Sequence, residues 1–268
     1  MEKTKRMVKN GEIIKEVNTA SVRINKHIAA HSDFARRKVD EMILQGRITV
    51  NGISITEPGF KINPGKDKIS VDGEPIRTVT KKVYILLNKP VGVISSANDE
   101  KHRETVTDLI NINERVFPIG RLDYNTTGLM LLTNDGEFAN SLMHPRYKVR
   151  KTYRVKLSKP LDEKIKLRLE KGIILEDRKT LPAIITFVKV KNYSEILITL
   201  TEGRNRQVRK MFEHFGYFVR DLHRESYGHL DIKGLKPGVW RYLSPTEITK
   251  FNFNNLNSRK IDGTKRPN

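Results

Sequence analysis

The sequence predicts an α+β protein of two units: a small N-terminal one with two short helices and a hairpin, and a larger one rich in strands. Two patterns predict it. First, Val22, Ile24, Ile28 and Ala29, then Ala35, Val39, Met42 and Ile43, recur at helical spacing and give way to Ile48-Thr49-Val50 and the turn Asn51-Gly52. Apolar residues three and four apart mark one helix face, and Asn-Gly after a β-branched run marks a hairpin. Second, beyond residue 82 the apolar runs Val83–Leu87 and Leu129–Leu132 and the alternating Lys151–Leu157 read as strands.

Composition bounds the class. A chain of 268 residues is long enough for one large domain or two smaller ones with a real core. Apolar residues at 37% and charged residues at 31% fit a globular protein. No apolar run approaches twenty residues, so no membrane span is expected. The polar N-terminus shows no secretory signal. With no Cys, disulfides and thiolate zinc sites are excluded, which fits a reducing cytoplasm. The seven His are scattered, and no metal site is expected. The formal charge of +20, from 51 basic and 31 acidic residues, is large for solubility alone. It favours a polyanionic partner, with phosphate backbones foremost. A membrane surface is disfavoured, because no basic amphipathic helix with a strong aromatic face occurs.

In chain order, residues 1–20 read as a flexible basic tail and 21–76 as the first unit. Ser32 or Asp33 can cap the second helix, which starts with Arg36, Arg37 and Lys38 and ends at Gly46. Asn63-Pro64-Gly65 turns into a strand around Lys68–Val71. Residues 77–82 are polar and basic, a linker. The second unit, 83–250, opens with the strand Val83–Leu87, then Asn88-Lys89-Pro90 and Gly92-Val93-Ile94-Ser95. Glu137–Met143 suggests a helix that Pro145 ends. In Lys151–Leu157, Tyr153, Val155 and Leu157 share a face with Lys151. Leu161–Lys171 is a helix candidate. Residues 183–190 and 195–200 read as strands joined by a turn at 191–194. After Gly203, the residues Val208, Met211, Phe212 and Phe215 form a helical stripe, with Arg206 and Arg209 together on one side. Strands around 217–220 and 239–243 close the unit, and 251–268 is an Asn- and Lys-rich tail expected to be disordered.

The chain is organised around Ile119–Gly136. Its first half is a polar loop with Arg121, Asp123, Asn125, Thr126 and Thr127; its second is the buried run Leu129–Leu132, stopped by Asn134-Asp135-Gly136. A rigid strand that holds a charged loop is a good support for a reactive group. Asp123, Asn125 and Gly128 occupy the first, third and sixth positions of a calcium loop, but Asn134 stands where the twelfth needs a bidentate Glu. A solvated surface turn and a catalytic Asp remain.

Gly120-Arg121-Leu122-Asp123 followed by Thr126-Thr127-Gly128-Leu129 resembles the central motif of the pseudouridine synthases, most closely the RsuA/RluB group. Asn88-Lys89-Pro90-x-Gly92 resembles the first motif of that family, Lys151-x-Tyr153 its tyrosine signature, and Gly203-x-x-x-Gln207-Val208-Arg209 its third motif. Residues Val22–Ile76 resemble the S4 RNA-binding domain, with Ala35 where that family usually has Ser. The resemblance implies a pseudouridine synthase domain with a mixed, mainly antiparallel sheet flanked by helices, after an S4 domain. It implies Asp123 as catalytic carboxylate, Arg209 as its partner and Tyr153 as the stacking partner of the target base. Arg121, Arg204 and Arg206 are expected to meet the RNA, as are Arg36, Arg37 and Lys38, joined by Arg47. Lys89 is a candidate phosphate contact, with a structural role in its turn equally open. Three bases at a helix N-terminus oppose the macrodipole, so a merely solvated face gives them no benefit.

The implied reaction detaches uracil from C1′ and rejoins it through C5. It involves no redox change, so no cofactor is expected. Asp123 must be ionised, and a guanidinium beside a carboxylate favours that form. Extrusion of the target costs a few kcal/mol of unstacking. The implied partner is ribosomal RNA, 23S before 16S, or an assembly intermediate, and a monomer is expected. A non-catalytic S4-type assembly factor is the alternative, but an inactive relative should have lost Asp123, Tyr153 or Arg209, and all are present.

Overall fold

A computed structural model describes residues 21–32, 34–76, 81–189 and 192–251, together with a short antiparallel pairing of Val8–Lys9 with Glu12–Ile13. The remainder of the expected N-terminal tail, most of the linker at 77–82 and the C-terminal tail after Phe251 lie outside the described residues. The chain divides into two compact units, Met1–Lys81 and Lys82–Asn268.

In the first unit, helices Ile24–Ala30 and Arg36–Leu44 pack on a sheet with the order 53–55, 48–50, 69–71, 74–75. Ile24, Ile28, Val39, Met42, Ile43 and Ile48 are fully buried and make its core. The expected hairpin forms: Asn51 and Gly52 both have positive φ, 53° and 80°, as a two-residue turn of the favoured twist requires. The Asn51 amide also ties this turn to Asp67 and to the Lys68 N–H. The helix cap differs from expectation. Ala35 is the N-cap and offers no side-chain acceptor. Ser32 instead donates to the Ile28 carbonyl at 2.7 Å and accepts from Phe34 N–H, so it closes the preceding helix; Asp33 lies outside the described residues.

In the second unit, nine strands among the described residues form one sheet, with the main order 184–189, 192–200, 151–157, 219–227, 127–133, 84–89, 240–242. All its pairings are antiparallel except that of Thr127–Thr133 with Val219–Tyr227. The run Leu129–Leu132 is the middle of this central strand. Leu129 and Leu131 pack into one core cluster with Leu86, Ile119 and Leu142, while Met130 and Leu132 pack into another with Ile85, Leu87 and Leu122. A strand covered on both faces has no solvent side, which is why its sequence does not alternate. Burial of each such side chain contributes about 1.5–3 kcal/mol.

Helix Gly136–Met143 is capped by Asp135, and helix Glu163–Lys171 by Asp162. Two expectations change. Asn192–Leu200 is continuous strand, so Asn192, Tyr193 and Ser194, expected in a turn at 191–194, are strand instead, and Lys191 lies outside the described residues. Val219–Tyr227 runs far beyond 220, through the charged stretch that obscured it. No helix among the described residues is long and apolar enough to cross a membrane.

Candidate active site

The Asp123 loop is a tight turn: Thr126 N–H donates to the Asp123 carbonyl at 2.9 Å. Both of its arms are fixed. Ser95 Oγ donates to the Leu122 carbonyl at 2.7 Å and accepts from Leu122 N–H at 3.1 Å. Gly92 N–H donates to the Tyr124 carbonyl at 3.0 Å. Beneath the turn lies Lys89, 0% exposed, whose ammonium donates to the carbonyls of Pro90, Thr126 and Tyr124 at 2.9, 3.0 and 3.4 Å. Burial pushes the Lys89 pKa down to about 8, while the Asp123 charge pulls it upward. Expected as a phosphate contact or as a structural part of its turn, Lys89 has its ammonium enclosed by these three carbonyls.

Gly128 explains the close approach of the two parallel strands. A Cβ there would lie 2.3 Å from the Arg224 carbonyl oxygen, and φ is +107°. Only glycine lets the strand after the Asp123 loop meet Val219–Tyr227 at this point.

Two arginines converge on the carboxylate. Arg209 Nε lies 3.8 Å from Asp123 Oδ2, and Arg206 Nη1 lies 4.0 Å from the same oxygen. Asp123 keeps 33% side-chain exposure and Arg209 only 11%. Arg209 is aimed by its own hydrogen bond, Nη1 to the Val219 carbonyl at 2.9 Å, and by the helix Gln207–Glu213 that carries it. Arg206 is the N-cap of that helix in the left-handed region, φ 51°. Gln207 locks the preceding turn: its Nε2 donates to Glu202 at 2.6 Å and its Oε1 accepts from Arg204 N–H at 3.0 Å. Both ion pairs exceed hydrogen-bond length, so two positive charges accompany a carboxylate whose oxygens stay open to a substrate.

The carboxylate faces a cleft of about 770 Å³, walled by residues 94–97 and Arg103 on one side and by Gly203, Arg204, Asn205 and Arg206 on another, with Arg121 and Tyr124 beside Asp123. Of the expected RNA-binding residues, Arg121 and Arg206 line it with accessible side chains. Arg204 also lines it, but its guanidinium holds the carbonyls of Arg178 and Lys179 and meets Glu202 at 3.3 Å. Those bonds tie it to the 178–179 strand. Tyr153 is not among the cleft-lining side chains. It is half-buried between two core clusters, on the strand next to Arg224, whose guanidinium stands 6.0 Å from its ring.

In the first unit, Arg36 donates to Asn25 Oδ1 at 3.2 Å, and Asn25 in turn donates to Asp40 at 2.7 Å. Arg37 is exposed, and Lys38 pairs with Glu41 at 3.0 Å. Arg47 forms a two-pronged pair with Asp72, at 2.8 and 2.6 Å, that neutralises much of its field. The histidines are not all scattered as expected: His27 and His31 form a His-x-x-x-His pair one helical turn apart, ring centroids 4.3 Å. No group of three or more metal-ligand side chains occurs among the described residues.

Sequence reasoning missed the burial of Lys89, the Ser95 staple, the second arginine at Asp123 and Arg224. The first two depend on which loops fold over the turn, which no local pattern records. Arg206 carried the signal of its three-residue spacing from Arg209, but its capping geometry did not.

Comparison with known proteins bears on this site. The profile of the RNA pseudouridylate synthase family matches residues 83–214, and that of the S4 domain matches 22–68. The chain is 48% identical over 233 residues to "Ribosomal large subunit pseudouridine synthase B" of Bacillus subtilis (strain 168), covering 85% of this chain and 95% of the relative. It is 37% identical over 233 residues to "Dual-specificity RNA pseudouridine synthase RluF" of Escherichia coli (strain K12), covering 85% and 78%. Among solved structures, "Crystal structure of pseudouridylate synthase" superposes with a TM-score of 0.63 at 30% identity, over 86% of this chain and 100% of the other.

Proposed function

Because this chain belongs to the RNA pseudouridylate synthase family, in its RsuA/RluB-type branch with an N-terminal S4 domain, we propose that it converts one uridine of ribosomal RNA to pseudouridine, in 23S rather than 16S. Its Bacillus subtilis relative is named for the large subunit, and the charge of +20 suits a phosphate polymer. The working form in this reading is a cytoplasmic monomer, with residues 21–76 binding RNA and 83–250 carrying out the chemistry.

The observation that carries the reading is the Asp123 carboxylate, backed by two guanidiniums and borne on a clamped turn at a cleft. In the reaction the N1–C1′ bond breaks and a C5–C1′ bond forms. C5 loses its proton and N1 gains one, so the product is an isomer and no electrons are exchanged. Asp123 supplies the nucleophilic or basic oxygen at the glycosidic centre. Arg209 holds that oxygen in register, and Arg206 and Arg121 take the phosphates on either side of the extruded nucleotide. The family resemblance assigns the stack on the uracil to Tyr153, which lies on the strand beside Arg224 and outside the cleft wall.

Asp123→Asn tests it, since the change removes the charge and almost none of the volume. The variant should keep its melting temperature and bind rRNA as well as the native protein or slightly better. Tritium release from C5-labelled uridine in 23S transcripts should fall below detection. Tritium release at the native rate from purified Asp123→Asn would remove Asp123 from the mechanism.

A further inference from the structure

Tyr124 has no part in the chemistry above, yet it is 52% exposed in the active-site cleft and adjoins Asp123. Its backbone is held twice, the carbonyl accepting from Gly92 N–H and from the buried Lys89 ammonium. Its side chain is held by very little. The tip of the ring rests over Gly92, 3.7 Å from where a Cβ would stand, and no hydrogen bond to its hydroxyl occurs among the described residues. A tyrosine kept for structure usually buries its ring and pairs its hydroxyl; this one does neither.

Arg103 faces the same cleft from the opposite loop and lies near enough to feel the Tyr124 hydroxyl. Its guanidinium is fixed by two bonds to Asp99, Nε at 3.0 Å and Nη2 at 2.7 Å. The third nitrogen, Nη1, has no protein partner among the described residues. The Arg103 loop is closed at its base by Ile94 N–H to the Glu104 carbonyl and Val106 N–H to the Ile94 carbonyl. Ser95 then staples it to Leu122. An aromatic ring and a planar cation are therefore set on two loops that are hydrogen-bonded to each other through Ser95.

We propose that Tyr124 is a stacking platform for the nucleobase next to the extruded uridine, and that Arg103 grips the phosphate of that neighbour. The inference rests on the uridine-isomerising reading and adds an element that holds the strand open beside the target. Consecutive Cα atoms are about 3.8 Å apart, so while Asp123 is in contact with the target nucleotide, the exposed Tyr124 ring is within reach of the adjoining one. A base–aromatic stack there replaces the stacking that the neighbour loses when the target leaves the helix. It thereby couples extrusion to the presence of a flanking base that can stack.

The test uses the full-length protein and a synthetic hairpin of the 23S site, located by carbodiimide primer extension on native transcripts. Tyr124→Ala should lower kcat/KM for tritium release by roughly 5- to 150-fold, the range for loss of one base–aromatic stack, with an unchanged melting temperature. Tyr124→Phe, which keeps the ring, should recover most of that loss. An abasic nucleotide on one side of the target should slow the native enzyme by a similar factor, and Tyr124→Ala should then cost nothing further. Multiplicative losses with the abasic nucleotide on either side would overturn the platform while leaving the isomerase reading intact. A native protein inactive on 23S, on 16S and on their assembly intermediates would overturn both.

Discussion

Lys89 concentrates the residue-scale physics of the site. A fully buried ammonium is stable only where oxygens surround it, and here three carbonyls do, two of them on the Asp123 turn. Burial holds its folded-state pKa near 8, below the value it has in the unfolded chain. Between those values the unfolded chain binds a proton that the folded chain does not. Folding stability contributed by this group is therefore lowest below about pH 8 and rises as pH climbs toward 10. Lys151, held down to about 8 by burial and by Arg224, acts in the same direction. Tyr84 and Tyr227, raised to about 12 by burial, reverse the trend above pH 10. Urea denaturation of the native protein should show its midpoint increasing from pH 8 to 10, and Lys89→Met should reduce that increase. An identical increase in Lys89→Met would mean that Lys89 titrates normally. The sequence offered Lys89 only as a turn residue or a phosphate contact, because a lysine's burial depends on which backbone folds over it.

At the scale of elements, the site exists because two strands of distant sequence meet in parallel at Gly128 and Arg224. The apolar run Leu129–Leu132 made one of them legible. The other was half hidden, because Asp221, His223, Arg224 and Glu225 break every apolar pattern. Those residues are tolerated for tertiary reasons. Arg224 Nε donates to the Leu129 carbonyl at 2.6 Å, His223 Nδ1 and Thr127 Oγ1 share a hydrogen bond at 2.7 Å, and Glu225 pairs with Arg154. Strand pairing thus supplies partners that no single segment shows. The helix after Gly203 was legible in its Val208, Met211 and Phe212 stripe, whereas the left-handed cap at Arg206 was not. Gly128→Ala should be among the most damaging small substitutions in the chain. It forces a positive φ on a residue with a Cβ and drives that atom into the Arg224 backbone, a cost of roughly 2–5 kcal/mol. Thermal denaturation should show a lowered midpoint, and tritium release should fall even at temperatures where the protein stays folded. Near-native stability in Gly128→Ala would show that the two strands can separate at this point without consequence.

For the whole molecule the governing quantity is charge. A protein of formal charge +20 binds any polyphosphate to some extent, so affinity alone says little about which surface meets the RNA. Salt dependence says more, because each phosphate contact releases counterions and adds about 0.9 to the slope of log K against log salt on duplex, or about 0.7 on single strands. The three bases that open the second helix of the S4 unit are not equivalent. Arg37 is exposed and has no ion-pair partner among the described residues. Lys38 must first leave Glu41, an exposed pair that holds it weakly. Arg36 is oriented by Asn25, itself fixed by Asp40. Arg37→Ala should therefore flatten the slope by nearly one contact, and Lys38→Ala by less. Arg36→Ala should also free Asn25 and lower the stability of the S4 unit slightly. The triple substitution should flatten the slope by about two to three contacts and raise KM for tritium release, with kcat at saturating RNA nearly unchanged, because Asp123, Arg206 and Arg209 all belong to the other unit. Filter binding of a 23S transcript across a salt series, with tritium release at saturating RNA alongside, separates the two effects. An unchanged slope in the triple variant would mean that the S4 unit meets RNA through another face, and a fall in kcat would mean that it also acts in the chemical step.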